Sequence, residues 1–204
     1  MIRLLLAEDQ VMVRQALATL LGLEGDMEVV VEVAAGAEVA AAVDAYHPDV
    51  ALLDIEMPGG DGLQAAAALH DAHPEVKILI LTTFGRPGFL RRAMESGASG
   101  FLLKDAPAAD LAAAIRKVLA GQRVVDPALA AAALAEGANP LTAREMEVLG
   151  SARDVATIAD MAGVLHLSQG TVRNHLSVII QKLGARNRVD AVRIALEKGW
   201  LPPR

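Results

Sequence analysis

The stretch that decides the fold runs from Asp49 to Gly62, DVALLDIEMPGGDG. A short apolar run, Asp49–Leu53, stops at Asp54, and a Pro and three glycines then lead toward an alanine-rich segment. The pattern recurs. Ile2–Ala7 runs into Glu8 and Asp9, Lys77–Leu81 into Thr82, and Gly100–Leu103 into Lys104. Runs this short and continuous, rich in Leu, Ile and Val, suit strands buried on both faces of a parallel sheet. In open parallel α/β sheets, sites form in the crevice beyond the carboxyl ends of the strands. One sheet edge is therefore expected to hold three carboxylates, a hydroxyl and an ammonium. That set can bind a divalent cation, accept a phosphoryl group on a carboxylate and sense the product. A lone Asp after a strand is usually a turn residue or a helix cap. The argument rests on four strand ends, each with a residue of the required type.

Working outward, helical patterns separate these runs: Val11–Gly22, Ala37–Tyr46, Gly62–Ala72, Pro87–Ser96 and Ala108–Ala120. With a second strand at Glu28–Ala34, five strands alternate with five helices, which predicts a doubly wound α/β domain over residues 1–121. Pro107 opens the fifth helix, where a missing N–H costs nothing, and Gly121 closes it. Residues 122–139 carry Gly, Pro and an alanine run without a long amphipathic period, and are expected to form a partly helical linker.

From Leu141 the signals change to short, well-capped helices. Thr142-Ala-Arg-Glu145 matches a capping box, and Thr157 followed by Asp160 is a weaker version. Ser168 opens a long helix, Gln169–Leu183, ending at Gly184, and a fourth runs from about Arg188 to Lys198 before Gly199, Pro202 and Pro203. The second and third are joined by the short His166-Leu167-Ser168 turn, so an all-α, four-helix helix-turn-helix domain is expected over residues 140–204.

Composition narrows the function classes. The 204 residues are 53% hydrophobic but only 2% aromatic, so the core must come from Ala, Leu, Val and Ile. Alanine-rich stretches favour helix. The absence of cysteine excludes a disulfide framework, a thiolate zinc site and a cysteine nucleophile. No apolar run approaches the roughly 18–20 residues a membrane span needs, and the amino terminus lacks a signal-peptide pattern, so a cytoplasmic protein is expected. Charge is uneven. Residues 1–139 hold 10 basic and 19 acidic residues, a net −9; residues 140–204 hold 9 and 6, a net +3. An acidic domain followed by a mildly basic one is consistent with nucleic-acid binding at the carboxyl end.

Glu8, Asp9 and Asp54 would form an acidic pocket suited to Mg²⁺, which takes oxygen ligands and lets an anionic donor approach a carboxylate. Phosphoryl transfer needs mostly positioning and charge neutralisation. Lys104 would supply a second cation, and the Thr82 hydroxyl can hydrogen-bond a new phosphoryl oxygen. Asp61 is placed to cap the third helix.

These residues resemble the receiver domains of two-component response regulators: the Glu8-Asp9 pair, Leu53-Asp54 followed by Met57-Pro58-Gly59, Thr82, and Gly100–Lys104. The resemblance implies a flavodoxin-like receiver with Asp54 as the phosphorylated aspartate. It makes Glu8, Asp9 and Asp54 metal ligands with the Glu56 main-chain carbonyl, Thr82 and Phe101 a switch pair, and Lys104 the phosphate-binding lysine. It also places Glu56 and Phe84 along the path of water attacking the phosphoryl group. The switch aromatic is often Tyr; Phe101 offers no hydroxyl to partners.

Leu141–Leu149, Leu167–His175 and Lys182–Gly184 in turn resemble a LuxR-type helix-turn-helix. A receiver joined to such a domain is similar to the NarL/FixJ family, and Lys182–Arg188 and Glu197–Trp200 are similar to its desaturase-regulator-like branch. The scaffold helix reads Asp160-Met161-Ala162 where the family usually has Glu-Ile-Ala, and the preceding turn is Arg153–Ala156. The helix starting at Ser168 would enter the major groove with its first turns. Val172 and Leu176 lie four apart, as do Ile179 and Leu183, and are expected to face the core. Gln169, Arg173, Asn174 and Ser177 are then available to bases, while Thr171, His175, Lys182 and Arg188 are expected to contact phosphates. The family implies a sensor histidine kinase, an operator in double-stranded DNA, and homodimerisation on phosphorylation.

Two other classes fit parts of the chain. A phosphatase or phosphotransferase with an aspartyl-phosphate intermediate would use a second acid two residues on, where Glu56 stands, but the helix-turn-helix and the lack of a lid domain count against it. An interaction protein with a degenerate phosphorylation site is opposed by the intact Asp54, Thr82 and Lys104.

Overall fold

The computed structural model describes residues 1–58, 61–83, 85–136, 138–155 and 157–201. The chain divides into two compact units, Met1–Leu134 and Ala135–Pro203. In the first, the order is β1 (Ile2–Ala7), α1 (Val11–Gly22), β2 (Met27–Val33), a 3-10 turn (Gly36–Glu38), α2 (Val39–Tyr46), β3 (Val50–Asp54), α3 (Gly62–Ala72), β4 (Lys77–Thr82), α4 (Pro87–Glu95), β5 (Gly100–Leu103), α5 (Ala108–Leu119), β6 (Val124–Val125) and α6 (Pro127–Glu136).

All strand pairs are parallel, in the order β2-β1-β3-β4-β5-β6. The chain runs outward from β1 to β2 and then returns to β3 on the other side. The β1/β3 boundary is thus the topological switch point, where this class of sheet binds ligands. The sheet is flavodoxin-like, with one correction: six strands, not five. Val124–Val125 is too short to leave a periodic signal, yet it pairs with β5 through Gly100↔Val124 and Phe101↔Val125. Within the segment expected as a linker, β6 extends the sheet, and α6 is held by an Asp126 carboxylate that accepts the Ala128 and Leu129 N–H groups (2.8 and 3.0 Å).

Two apolar layers sandwich the sheet. On one face Leu5, Leu53, Ile55 and Ile80 pack under Val43, Leu63, Leu69 and Phe89 of α2, α3 and α4. On the other, Leu4, Leu6, Leu52 and Leu79 meet Leu21 of α1 and Leu111, Ile115 and Val118 of α5. Alternate residues of one strand thus serve opposite layers, as a two-sided parallel sheet demands.

The second unit holds α7 (Ala143–Asp154), α8 (Ile158–Leu165), α9 (Gln169–Leu183) and α10 (Arg188–Glu197) around Val148, Leu149, Met161, Val172, Ile179 and Ala195. Each helix opens on a side-chain cap: Thr142, Thr157, Ser168 and Asn187 accept the N–H three residues on. Such caps contribute about 1 kcal/mol each, which matters in helices this short. Gly184, at φ 60°, ends α9 in the left-handed conformation that glycine adopts without strain. Among the described residues, no helix is long and apolar enough to cross a membrane.

Candidate functional site

Strand register assembles the pocket. Ala7 pairs with Leu53, Asp54 with Leu81, and Thr82 with Leu103. Glu8, Asp54, Thr82 and Lys104 are therefore neighbours across four successive strand ends. Among the described residues, Glu8, Asp9 and Asp54 bring one carboxylate oxygen each within 4.8 Å of one another. Asp9 is exposed, whereas Glu8 and Asp54 are 1% and 2% exposed. The Lys104 ammonium bridges the buried pair, 2.5 Å from Glu8 Oε2 and 2.8 Å from Asp54 Oδ2.

Those contacts are close in distance but poorly directed. Glu8 Oε2, Asp54 Oδ2 and Lys104 Nζ are all buried without a well-aligned hydrogen bond. Burial pushes the Glu8 and Asp54 carboxyls above the ordinary carboxylate range, and Lys104 only partly offsets this. Burial also works against the Lys104 charge, but its two carboxylate partners outweigh that and hold its pKa above the ordinary value. One ammonium facing two buried carboxylates, with Asp9 alongside, leaves uncompensated negative charge. The donors are all hard oxygens, so the residues present fit a divalent cation of the Mg²⁺ type.

Thr82 is fully buried at the end of β4, and its main-chain oxygen accepts the Lys104 N–H at 2.9 Å. Phe101 is also fully buried, packed in the layer with Phe89. Glu56 is half-buried in the loop after Asp54; Phe84, expected along the water path, lies outside the described residues, as do Gly59 and Gly60. The start of α3 closes this side: Asp61 accepts the Leu63 and Gln64 N–H groups (2.6 and 3.2 Å) and a 2.6 Å ion pair from Arg92 of α4.

In the second unit, α9 splits as its spacing predicts. Val172, Leu176 and Ile179 are buried, and Leu183 packs against them. Gln169, Arg173, Asn174 and Ser177 form an exposed stripe, with Arg173 Nη2 reaching Gln169 Oε1 at 3.4 Å. The four residues expected at phosphates are placed differently. Thr171 is half-buried, its hydroxyl 2.8 Å from that of Ser168, and His175 is half-buried. Arg188 is half-buried, with Nη1 3.9 Å from Met161 Sδ. Lys182 is exposed, but its ammonium is engaged by Glu145 at 2.8 Å.

Residues 4–116 match the response regulator receiver domain, and residues 139–195 the luxR family of bacterial regulatory proteins. The chain is 49% identical over 201 residues to the uncharacterized transcriptional regulatory protein YvfU of Bacillus subtilis (strain 168), covering 98% of this chain and 100% of that one. It is 47% identical over 200 residues to the transcriptional regulatory protein DesR of the same organism, covering 98% and 99%. The crystal structure of the response regulator ChrA of a heme-sensing two-component system superposes with a TM-score of 0.59 at 34% identity, covering 98% of both chains. The chain belongs to the NarL/FixJ response regulators. It is a DNA-binding transcriptional regulator built from a receiver and a LuxR-type helix-turn-helix.

The regulator carries features that motif reading did not single out. Gln181 is exposed one turn beyond Ser177 and continues the α9 stripe, a position the 173–177–181 spacing would have found. Arg186 is 82% exposed, yet its guanidinium is held by the buried Asp190, which also pairs with Arg193. The i,i+4 spacing from Arg186 to Asp190 was the available signal. Glu145 has two roles: its carboxylate accepts the Thr142 N–H at 2.7 Å to complete the capping box, and it binds Lys182.

Proposed function

We propose that the regulator is switched by phosphorylation of Asp54 by a sensor histidine kinase. The observation that carries this is the buried Glu8–Lys104–Asp54 bridge at the switch point of the sheet, with Asp9 at its rim. An Asp54 oxygen attacks the phosphorus of a phosphohistidine, the P–N bond breaks, and the imidazole leaves with the electron pair and takes up a proton. Glu8, Asp9, Asp54 and the Glu56 carbonyl would hold Mg²⁺, which would supply neutralisation of the donor's charge. Lys104 pairs with the phosphoryl oxygens, Thr82 hydrogen-bonds them, and Phe101 follows Thr82. Glu56, half-buried two residues after Asp54, is placed to orient water during loss of the group. That same residue sustained the enzyme alternative, but the family is one of transcription regulators.

Functionally, residues 1–121 serve as phosphoacceptor, 122–139 as connection and 140–204 as the DNA reader, acting in the cytoplasm where operator and kinase meet. Gln169, Arg173, Asn174 and Ser177 face base edges; Thr171, His175, Lys182 and Arg188 serve phosphates. Phosphorylation promotes a homodimer whose two helix-turn-helix domains engage two half-sites. Incubation with acetyl phosphate and Mg²⁺, followed by intact-mass measurement, tests the reading. One phosphoryl mass, lost in Asp54→Asn and without Mg²⁺, supports it; an unmodified wild type would refute it.

A further inference from the structure

α9 exposes two parallel rows of residues, each advancing four residues per step. Gln169, Arg173 and Ser177 lie in the first, and Gly170, Asn174 and Val178 in the second. The second row thus opens on a residue without a side chain. Nothing among the described residues requires this. Gly170 is not one of the glycines with positive φ, unlike Gly184. A Cβ added to it would meet, among the described residues, the Ser168 Oγ alone, at 3.6 Å, which is ordinary van der Waals contact. Glycine is less favourable than alanine within a helix, so the position forgoes helix stability with no compensating contact in the chain.

The gap is also left open by its neighbours. Arg173 Nη2 leans to Gln169 Oε1 in the first row, at 3.4 Å. The Ser168 hydroxyl is engaged with the Thr171 hydroxyl and N–H, at 2.8 and 3.0 Å, and Gly170 stays exposed. A missing side chain lets the backbone approach a ligand closely. In the major groove the base edges present hydrogen-bonding groups and one apolar projection, the thymine 5-methyl. Asn174, one turn further along the same row, matches adenine bidentately, so this row suits A·T pairs.

We propose that Gly170 is a specificity-determining notch, in which the 5-methyl of an operator thymine packs against the Gly170 Cα. This rests on the reading of α9 as the helix that faces base edges. Gly170→Ala puts a methyl where that of thymine lies. The substitution that favours the helix therefore spoils the contact, and deleting the thymine methyl restores the room.

Duplexes enriched from a random-sequence pool by the full chain, with Mg²⁺ and the phosphoryl mimic beryllofluoride, supply the probe. Each thymine is then replaced by uracil, which deletes only the methyl, and affinity is read by fluorescence anisotropy. Loss of one buried methyl weakens binding about three- to fourfold, so uracil at the contacted position of both half-sites should weaken the wild type about tenfold. Gly170→Ala should melt no lower than wild type, followed by fluorescence of the core residue Trp200. It should bind the thymine duplex at least about tenfold more weakly than wild type, and the uracil duplex as tightly as the thymine one or more tightly. A wild type indifferent to every uracil would overturn the inference, as would a Gly170→Ala that melts lower or keeps the wild-type affinity or thymine preference. Arg173→Ala separates this from the reading beneath it. Weakened binding by Arg173→Ala, with Gly170→Ala unchanged, would remove the notch and keep α9 as the reading helix. Wild-type binding and selectivity in both variants would overturn both.

Discussion

Gly62 abuts the main chain of Asp54 so closely that a Cβ on it would lie 1.8 Å from the Asp54 carbonyl oxygen. The Gly62 N–H also donates to the Ile55 carbonyl at 3.0 Å. The first turn of α3 thus fixes the backbone that presents Asp54, and no flexible side-chain end is available to yield. Gly62→Ala must push α3 off the strand end. It should cost about 1–3 kcal/mol of receiver stability, typical of overpacking, and slow phosphorylation by acetyl phosphate. Thermal melting with intact-mass kinetics checks this. A variant with unchanged stability and rate would show that α3 shifts freely.

Burial raises both Asp54 and Glu8, so each folded carboxyl favours its neutral form more than the unfolded chain does. The sign follows: the folded state holds more protons, and this contribution to stability declines as pH rises from the ordinary carboxylate value through the raised one. At neutral pH the ionised pair is a stability burden carried for function. In metal-free buffer, Asp54→Asn or Glu8→Gln should therefore melt higher than wild type. Millimolar Mg²⁺ should reverse the order, because the cation stabilises only a chain that binds it. Calorimetric melts with chelator and with Mg²⁺ would show it; lower melting of both variants without metal would mean that their loss of Lys104 pairing dominates.

The strand ends were legible because a buried parallel strand announces itself as an apolar run, and its first polar residue is its exit. Register then follows from the sheet order, which is why Glu8, Asp54, Thr82 and Lys104 meet as expected. β6 was not legible: two valines have no period, and their pairing with Gly100 and Phe101 is a tertiary fact. The alanine run of α6 hides its buried side, because Ala130 and Ala133 resemble Ala131 and Ala132 in sequence although only the first two are partly covered. Glu145 and Lys182 stand 37 residues apart, so their pairing could not be read from local spacing.

That pairing makes the second unit acid-sensitive. Lys182 holds the Glu145 carboxyl below its ordinary range, aided by the Thr142 N–H, and Arg186 does the same to Asp190, aided by Arg193. Their contribution is present above the ordinary carboxylate values and is lost as pH falls through the depressed ones, below about 4. Trp200, the single tryptophan, packs in this core and reports its unfolding by fluorescence. Glu145→Ala removes the capping box as well, and should lower stability by about 1–2 kcal/mol and flatten the acid limb. A variant with the wild-type acid limb would place the sensitivity on Asp190 alone.

Arg173 stands on the exposed face of α9 beside Gln169, one turn before Ser177. If it reads guanine, Arg173→Ala should lose about 1–3 kcal/mol per half-site and relax base preference at one position. Lys182→Ala should instead weaken all sequences alike and reduce the salt slope by about one, to the extent that its ammonium leaves Glu145 for a phosphate. The mildly basic stretch 140–204, of net charge +3, makes few phosphate contacts, so one half-site is held weakly and with steep salt dependence. Pairing two such units on adjacent half-sites raises the effective concentration of the second. It should strengthen binding by roughly 10²–10⁴-fold when the spacing suits the dimer. Sedimentation and gel shifts of the full chain, with and without beryllofluoride, should therefore show dimer and tight operator complex appearing together. Tight binding by a species that stays monomeric would leave the recognition helix correctly read and refute dimerisation as the coupling step.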